Sequence, residues 1–182
     1  TDDWIYSTFD TIFNNDTMIH RFKEKSLLFV FLEKTERMGH AFFPHHPAYS
    51  ESIDTMDQFV SHVYKTLEEL YPDKKTTYLF TSDYGLTMKG TNGNGNPENT
   101  RTPFVAWGAG ISPSHMGKSS IYIDDGTIEG EEENLVNHLW KLDYLSRKDL
   151  HQLDIAPLIC SLLGIPFPTN NLGTVPLNYL DS

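Results

Sequence analysis

"TTYLFTSDYGLTMKGTNGNGNP", Thr76 to Pro97, runs from a strand-like stretch into a loop of glycines and asparagines. Its first part, "TTYLFTSD", is rich in β-branched and aromatic residues, which suit a pleated, half-buried surface. It delivers Asp83 into a loop whose Asn-Gly repeats accept positive φ and make turns. Loops of this kind often hold metals or phosphates. Yet no histidine, cysteine or acid stands between Asp83 and Pro97. The run "NGNGNPE" lacks acids at the first positions of a calcium hand and has Pro97 where such a loop needs glycine.

Working outward, "SLLFVFLE", Ser26 to Glu33, is short, continuous and apolar, and so predicts a strand buried on both faces. In "YSESIDTMDQFVSHVYKTLEELYPD", Ile53, Met56, Phe59, Val60, Val63, Tyr64, Leu67 and Leu70 recur at helical steps, and Tyr71-Pro72 ends the helix. "PFVAWG" is a third short strand. "EEENLVNHLWKL" predicts a helix with acids in its first turn, where the helix dipole favours them. "TIEGEEEN", Thr127 to Asn134, is a solvated loop leading into it. "LDIAPLICSLLG" predicts another helix, with Asp154 as N-cap and Gly164 as C-terminal stop. Strands alternating with helices predict an α/β fold with a mostly parallel central sheet flanked by helices. In such sheets ligands bind beyond the carboxyl ends of strands, where Asp83, Glu36 and His40 would meet. No internal repeat or long linker interrupts residues 1–182.

Composition narrows the function classes. The formal net charge of -11 opposes a nucleic-acid backbone or an anionic membrane surface as the main partner. The longest apolar run, "LLFVFL", falls far short of the ~20 residues a membrane helix needs. The chain begins with Thr1, without a signal-like segment, and so reads as a fragment. Cys160 is the single cysteine, which excludes an internal disulfide and a Cys-based zinc site. In "APLICSLLG" it reads as a small core residue. Asn15-Asp16-Thr17 is a glycosylation acceptor pattern, meaningful if the chain enters the secretory path.

The remaining chemistry-bearing candidates are few. "GKSS" at Gly117 is not a phosphate loop, because position 112, where the first glycine belongs, is serine. Glu36 and His40 are four apart, so a helical turn would face both toward one metal. The alternative is a surface glutamate beside a satisfied histidine. His45 and His46 stand between prolines and would point apart in an extended chain. His115 and His151 lie in polar segments and read as surface residues.

Three segments together resemble the luminal catalytic domain of the GPI ethanolamine phosphate transferase 1 family, within the alkaline-phosphatase-like superfamily. "FVFLEKTERMGHAFFPHHPAYSESID" looks like that family's strand, followed by Asp-Thr-x-Gly-His. "TTYLFTSDYGLTMKGTNGNGNPENTRTPFVAWGAGI" looks like its Phe-Thr-Ser-Asp-His-Gly-Met, Gly-Ser-His-Gly-x-Gly-His-Pro and Thr-Arg-Thr-Pro series. "LHQLDIAPLICSLLGIPFPTNNLGTVPLNYL" looks like its Asp-Ile-Ala-Pro-Leu segment with a "PFPxNxxG" tail. The resemblance covers most of Leu27 to Leu180. It implies an alkaline-phosphatase-like fold, with residues 1–182 as the C-terminal part of the catalytic domain. It also implies two divalent ions, zinc or manganese, that clamp a phosphoryl group while a threonine attacks it. The family moves phosphoethanolamine from phosphatidylethanolamine to a mannose of the GPI precursor glycolipid, on the luminal side of the endoplasmic reticulum membrane. Membrane contact would come only through segments absent from this chain.

Carried over residue by residue, the resemblance implies metal ligands at Glu36, His40 and Asp83. Glu36 keeps the charge of the family's aspartate but is one methylene longer. The family's histidine after Asp83 falls on Tyr84, and a neutral phenol is a poor zinc ligand. Its two loop histidines fall on Asn92 and Asn96, amides that suit hard ions better than zinc. The threonine nucleophile is expected upstream of Thr1, so no catalytic residue is assigned. Two catalytic zinc ions need about three protein ligands each, and three candidates remain in all. The expectation is therefore a catalytically impaired chain, a pseudoenzyme. The alternative is a non-catalytic binding or assembly module that reuses the phosphatase fold. A phosphodiesterase or sulfatase relative would need the missing histidines.

Overall fold

A computed structural model describes residues 2–23, 25–112, 141 and 148–181. The chain divides into two compact units, Thr1–Ala109 and Gly110–Ser182. The helix expected at "EEENLVNHLWKL" (apart from Lys141), the loop Thr127 to Asn134, "GKSS" and His115 lie outside the described residues.

The first unit is organised by α4, Pro47–Leu70. Pro47 occupies its first turn, where a missing N–H costs nothing. The His46 ring accepts from Ala48 N–H at 3.1 Å, which caps the helix start. Its end falls where Tyr71-Pro72 predicts. Phe59 and Leu67 are buried on one face, whereas Ile53 and Tyr64 of the predicted stripe each remain 39% exposed. Against that face lies α1, Asp2–Phe13, which the sequence reading passes over. Its signal is the spacing of Ile5, Phe9, Ile12 and Phe13. Phe9 and Phe13 join Phe59 and Leu67 in one core cluster. Tyr6 stacks on Phe59 at 4.2 Å, and Phe9 meets the same ring edge-on at 5.8 Å. A short helix, α2 (Asp16–Arg21), follows with no buried residue.

The segment Ser26 to Glu33 departs from expectation. It belongs to no strand ladder among the described residues. Its side chains alternate: Leu28, Val30 and Leu32 pack on the core cluster, while Leu27, Phe29 and Phe31 are 58%, 77% and 49% exposed. An extended chain turns successive side chains to opposite sides, and only one side here meets helices. The segment leads into α3, Lys34–Phe42. Asp2 ties the two ends of this unit's helices together. Its carboxylate is buried and accepts from Glu33 N–H and Lys34 N–H, each at 3.1 Å.

The expected mostly parallel sheet is not confirmed among the described residues. Among the described residues the sheet has two strands: β1, Thr77–Thr81, pairs antiparallel with β2, Phe104–Gly108. Tyr78 faces Trp107 across the register, with the rings stacked at 5.1 Å. Parallel neighbours need a crossover, usually a helix of some length. The connection between β1 and β2 holds only the one-turn helix α5, Pro97–Thr100, and glycine turns, so the chain simply doubles back.

In the second unit, α6 (Ile155–Leu163) buries Pro157, Leu158 and Cys160, in keeping with a core role for that cysteine. Gly164 ends the helix in the left-handed region, φ +61°. Gly164 N–H reaches Ser161 O and Ile165 N–H reaches Cys160 O, the paired bonds of a Schellman stop. Asp154 is not the side-chain cap expected of it. Its carboxylate is drawn instead to the tail, where Oδ1 accepts from Thr174 N–H at 2.7 Å and from the Thr174 hydroxyl. Ile111 bridges Leu180, which closes this unit on itself. No helix among the described residues is long and apolar enough to cross a membrane.

Candidate functional site

The site is built from α3 and the loop after β1, both in the first unit. Helical spacing puts Glu36 and His40 on one side of α3, and His40 Nε2 lies 3.4 Å from Glu36 Oε1. The other ring nitrogen, Nδ1, is 2.8 Å from Gly90 O. A carbonyl can only accept, so Nδ1 holds the proton and Nε2 is turned to the carboxylate. A backbone carbonyl on the far nitrogen is also how metal-bound histidines are commonly oriented. Gly90 makes this approach feasible. Its φ is +67°, and an added Cβ would lie 2.8 Å from Gly39 O.

Tyr84 completes the cluster. Its hydroxyl donates a short hydrogen bond to Glu36 Oε1, the same oxygen that faces His40. That bond raises the phenol pKa to about 12, with burial and the charges of Glu36 and Asp83 acting in the same direction and a hydrogen bond from Asn92 opposing them. Tyr84 is therefore a neutral donor to the carboxylate. Asp83, immediately before it, is exposed and accepts from Tyr84 N–H at 3.1 Å.

The loop keeps its shape through groups that the sequence reading did not single out. Asn99 is 4% exposed and donates to Gly85 O at 3.0 Å and to Thr91 O at 3.1 Å. Gly85 N–H returns a bond to Asn99 O. A Cβ on Gly85 would lie 2.0 Å from Glu98 O, so only glycine allows the two backbone segments to close. Thr87, also buried, bonds the Thr91 hydroxyl at 2.9 Å. Asn96 caps α5, its side chain accepting from Glu98 N–H at 3.3 Å. Asn92 stays near Tyr84. Nothing local marks Asn99 for burial, since "PENT" reads as an exposed turn. His45 and His46 stay apart from this cluster: His45 stacks on Phe43 and His46 on Phe42. His151 is exposed.

Does this donor set fit a pair of ions? His40 is oriented as a ligand would be. Glu36, however, is engaged by a phenol that offers no imidazole, and the two loop asparagines are a cap and a phenol partner. Among the described residues no three His, Cys, Asp or Glu side chains are grouped to hold a metal. The described residues do not fit a two-ion centre.

The sequence profile of the Sulfatase family matches residues 6–165, and the chain belongs to that family. Its membership implies the alkaline-phosphatase-like fold at the level of the family. The chain is similar to GPI ethanolamine phosphate transferase 1 of several organisms. It is 39% identical to the Aspergillus oryzae protein over 160 residues, covering 88% of this chain and 15% of that protein. It is 35% identical to the Mus musculus protein over 187 residues and to the Homo sapiens protein over 188, each covering 100% of this chain and 19% of the relative. The chain thus spans under a fifth of the length of these relatives. No solved structure matches it.

Proposed function

We propose that residues 1–182 form part of the alkaline-phosphatase-like catalytic domain of a GPI ethanolamine phosphate transferase 1 homologue, with an impaired metal site. Similarity to GPI ethanolamine phosphate transferase 1 supports the transferase reading and a place in GPI-anchor assembly; placement on the luminal side of the endoplasmic reticulum membrane is part of the same proposal. The substrates on this reading are the GPI precursor glycolipid and phosphatidylethanolamine. The single observation that carries the impairment is the Tyr84 hydroxyl on Glu36. A phenol stands where the family resemblance implies a histidine ligand, and it occupies the carboxylate that would serve the ion. Asn92 and Asn96, in place of two more imidazoles, take hydrogen-bonding roles in the loop. Losing a partner behind a ligand already costs about 10–100-fold in affinity or activity, and the ligands themselves weigh more. Glu36, His40 and Asp83 remain as a residual set.

The test is metal content and titration of the purified chain. The expected result is sub-stoichiometric zinc and manganese, with metal gained in the triple variant Tyr84→His, Asn92→His, Asn96→His. Near-stoichiometric zinc on the unaltered chain, lost on Glu36→Gln or His40→Ala, would overturn the impairment. The same closed network also suits a second reading, a non-catalytic module that binds GPI precursors or assembles with a membrane partner. Vesicles carrying phosphatidylethanolamine and a GPI precursor distinguish the two: retention of the chain supports the module, and no retention removes it.

A further inference from the structure

We infer that Asn15 is an acceptor for an asparagine-linked glycan. Asn15-Asp16-Thr17 is the only Asn-x-Ser/Thr triplet with a non-proline centre in the 182 residues. The structure puts it in the open. Asn15, Asp16 and Thr17 are all exposed, in the short turn between α1 and α2. Asn15 has an extended backbone, φ -109° and ψ 111°. Its side-chain oxygen Oδ1 accepts from Thr17 N–H at 3.0 Å and Met18 N–H at 3.3 Å. Both bonds use the oxygen. The amide nitrogen Nδ2 makes neither of them, and it is the atom that glycosylation alters.

The chemistry follows from that division. Nδ2 forms a bond to the anomeric carbon of an oligosaccharide carried on a polyprenyl pyrophosphate. The anomeric C–O bond breaks, its electron pair leaves with the lipid pyrophosphate, and one Nδ2 proton passes to a base of the transferring enzyme. No oxidation or reduction occurs. Oδ1 remains an amide oxygen, so the two backbone bonds at the start of α2 persist after modification. Since α2 has no buried residue, a bulky solvated group there displaces nothing from the core. Such a glycan sits at the surface of a chain in the secretory path. The assignment therefore rests on the luminal placement proposed above.

The experiment has two arms. In the first, the chain is fused behind a cleavable leader and translated with endoplasmic reticulum microsomes. The expected result is a protease-protected product of reduced mobility, restored by peptide N-glycosidase. Thr17→Ser should keep the shift, and Thr17→Ala and Asn15→Gln should abolish it completely. Thr17→Ala is the informative variant, because it leaves the Asn15 side chain and its backbone bonds in place. A protected but unmodified unaltered chain, beside a glycosylated control protein, overturns the acceptor assignment. The second arm examines the Asn15 peptide from cells that make the protein naturally. Glycan there supports the inference in full. Glycan in the first arm and none in the second overturns the luminal placement, and with it glycosylation in the cell, while leaving Asn15 a competent acceptor.

Discussion

Tyr84 joins two segments that are far apart in the chain, because its hydroxyl and His40 Nε2 converge on one oxygen of Glu36. Tyr84→Phe removes the donor and keeps the ring. A hydrogen bond to a charged group contributes about 1.5–3 kcal/mol when well shielded, and this half-buried one belongs at or below the lower end. The expected outcome is a small drop in melting temperature, measured by calorimetry, with the fold intact by circular dichroism. Tyr6 gives the opposite case. Its hydroxyl is buried and has no hydrogen-bond partner among the described residues, while its ring stacks on Phe59. Tyr6→Phe should be neutral or stabilising, since an unsatisfied buried hydroxyl costs about 1–3 kcal/mol; a clear loss of melting temperature would contradict this. At this scale the sequence reached the spacing of Glu36 and His40 and the position of Asp83. It could not reach the bond between Tyr84 and Glu36, since no local pattern encodes which distant side chain a hydroxyl will meet.

The elements were legible in proportion to how strongly their periodicity was written. Helix α4 and strand β1 follow their patterns closely, and so does α6 up to its glycine stop. Helix α1 carries fewer apolar positions, and its role appears only when Phe9 and Phe13 meet Phe59. Ser26 to Glu33 misleads because a continuous apolar run looks the same whether one face or both are covered. The packing of α1 on α4 should dominate the first unit's stability. Phe59→Ala is expected to cost about 3–5 kcal/mol, the range for a buried aromatic truncated to alanine, read as a shift in denaturant midpoint. Asp2→Ala should cost about 1–3 kcal/mol, because Glu33 N–H and Lys34 N–H lose a charged acceptor. Asp2→Asn, which keeps one acceptor oxygen, should recover part of that loss.

At the scale of the whole molecule, strand direction was the part least legible. Alternation of strands and helices suggests parallel pairing, but direction depends on what each connection contains, and the one between β1 and β2 contains turns and a single helical turn. Alkaline stability is a property of several elements together. Tyr78 is raised above its ordinary value of 10.0 by burial and by its bond to Glu68, Tyr6 by burial and the charges of Asp2 and Asp3, and Tyr71 by burial. Each native pKa lies above the unfolded one, so the native state favours the protonated phenol. That contribution is complete below the ordinary value of 10.0 and is lost as pH rises through the native values. Melting temperature should therefore fall above that point, with tyrosinate absorbance rising together with unfolding. Full ionisation of these tyrosines in a still-folded chain would refute the expectation. Finally, the clasp between Asn99 and Gly85 has a consequence for any attempt to restore an ion site. The loop is held by amide and carbonyl groups of its own. Its backbone entropy is already spent in folding. Histidines introduced at positions 84, 92 and 96 would thus be grafted onto a preorganised frame, and an arriving cation would have to order side chains alone.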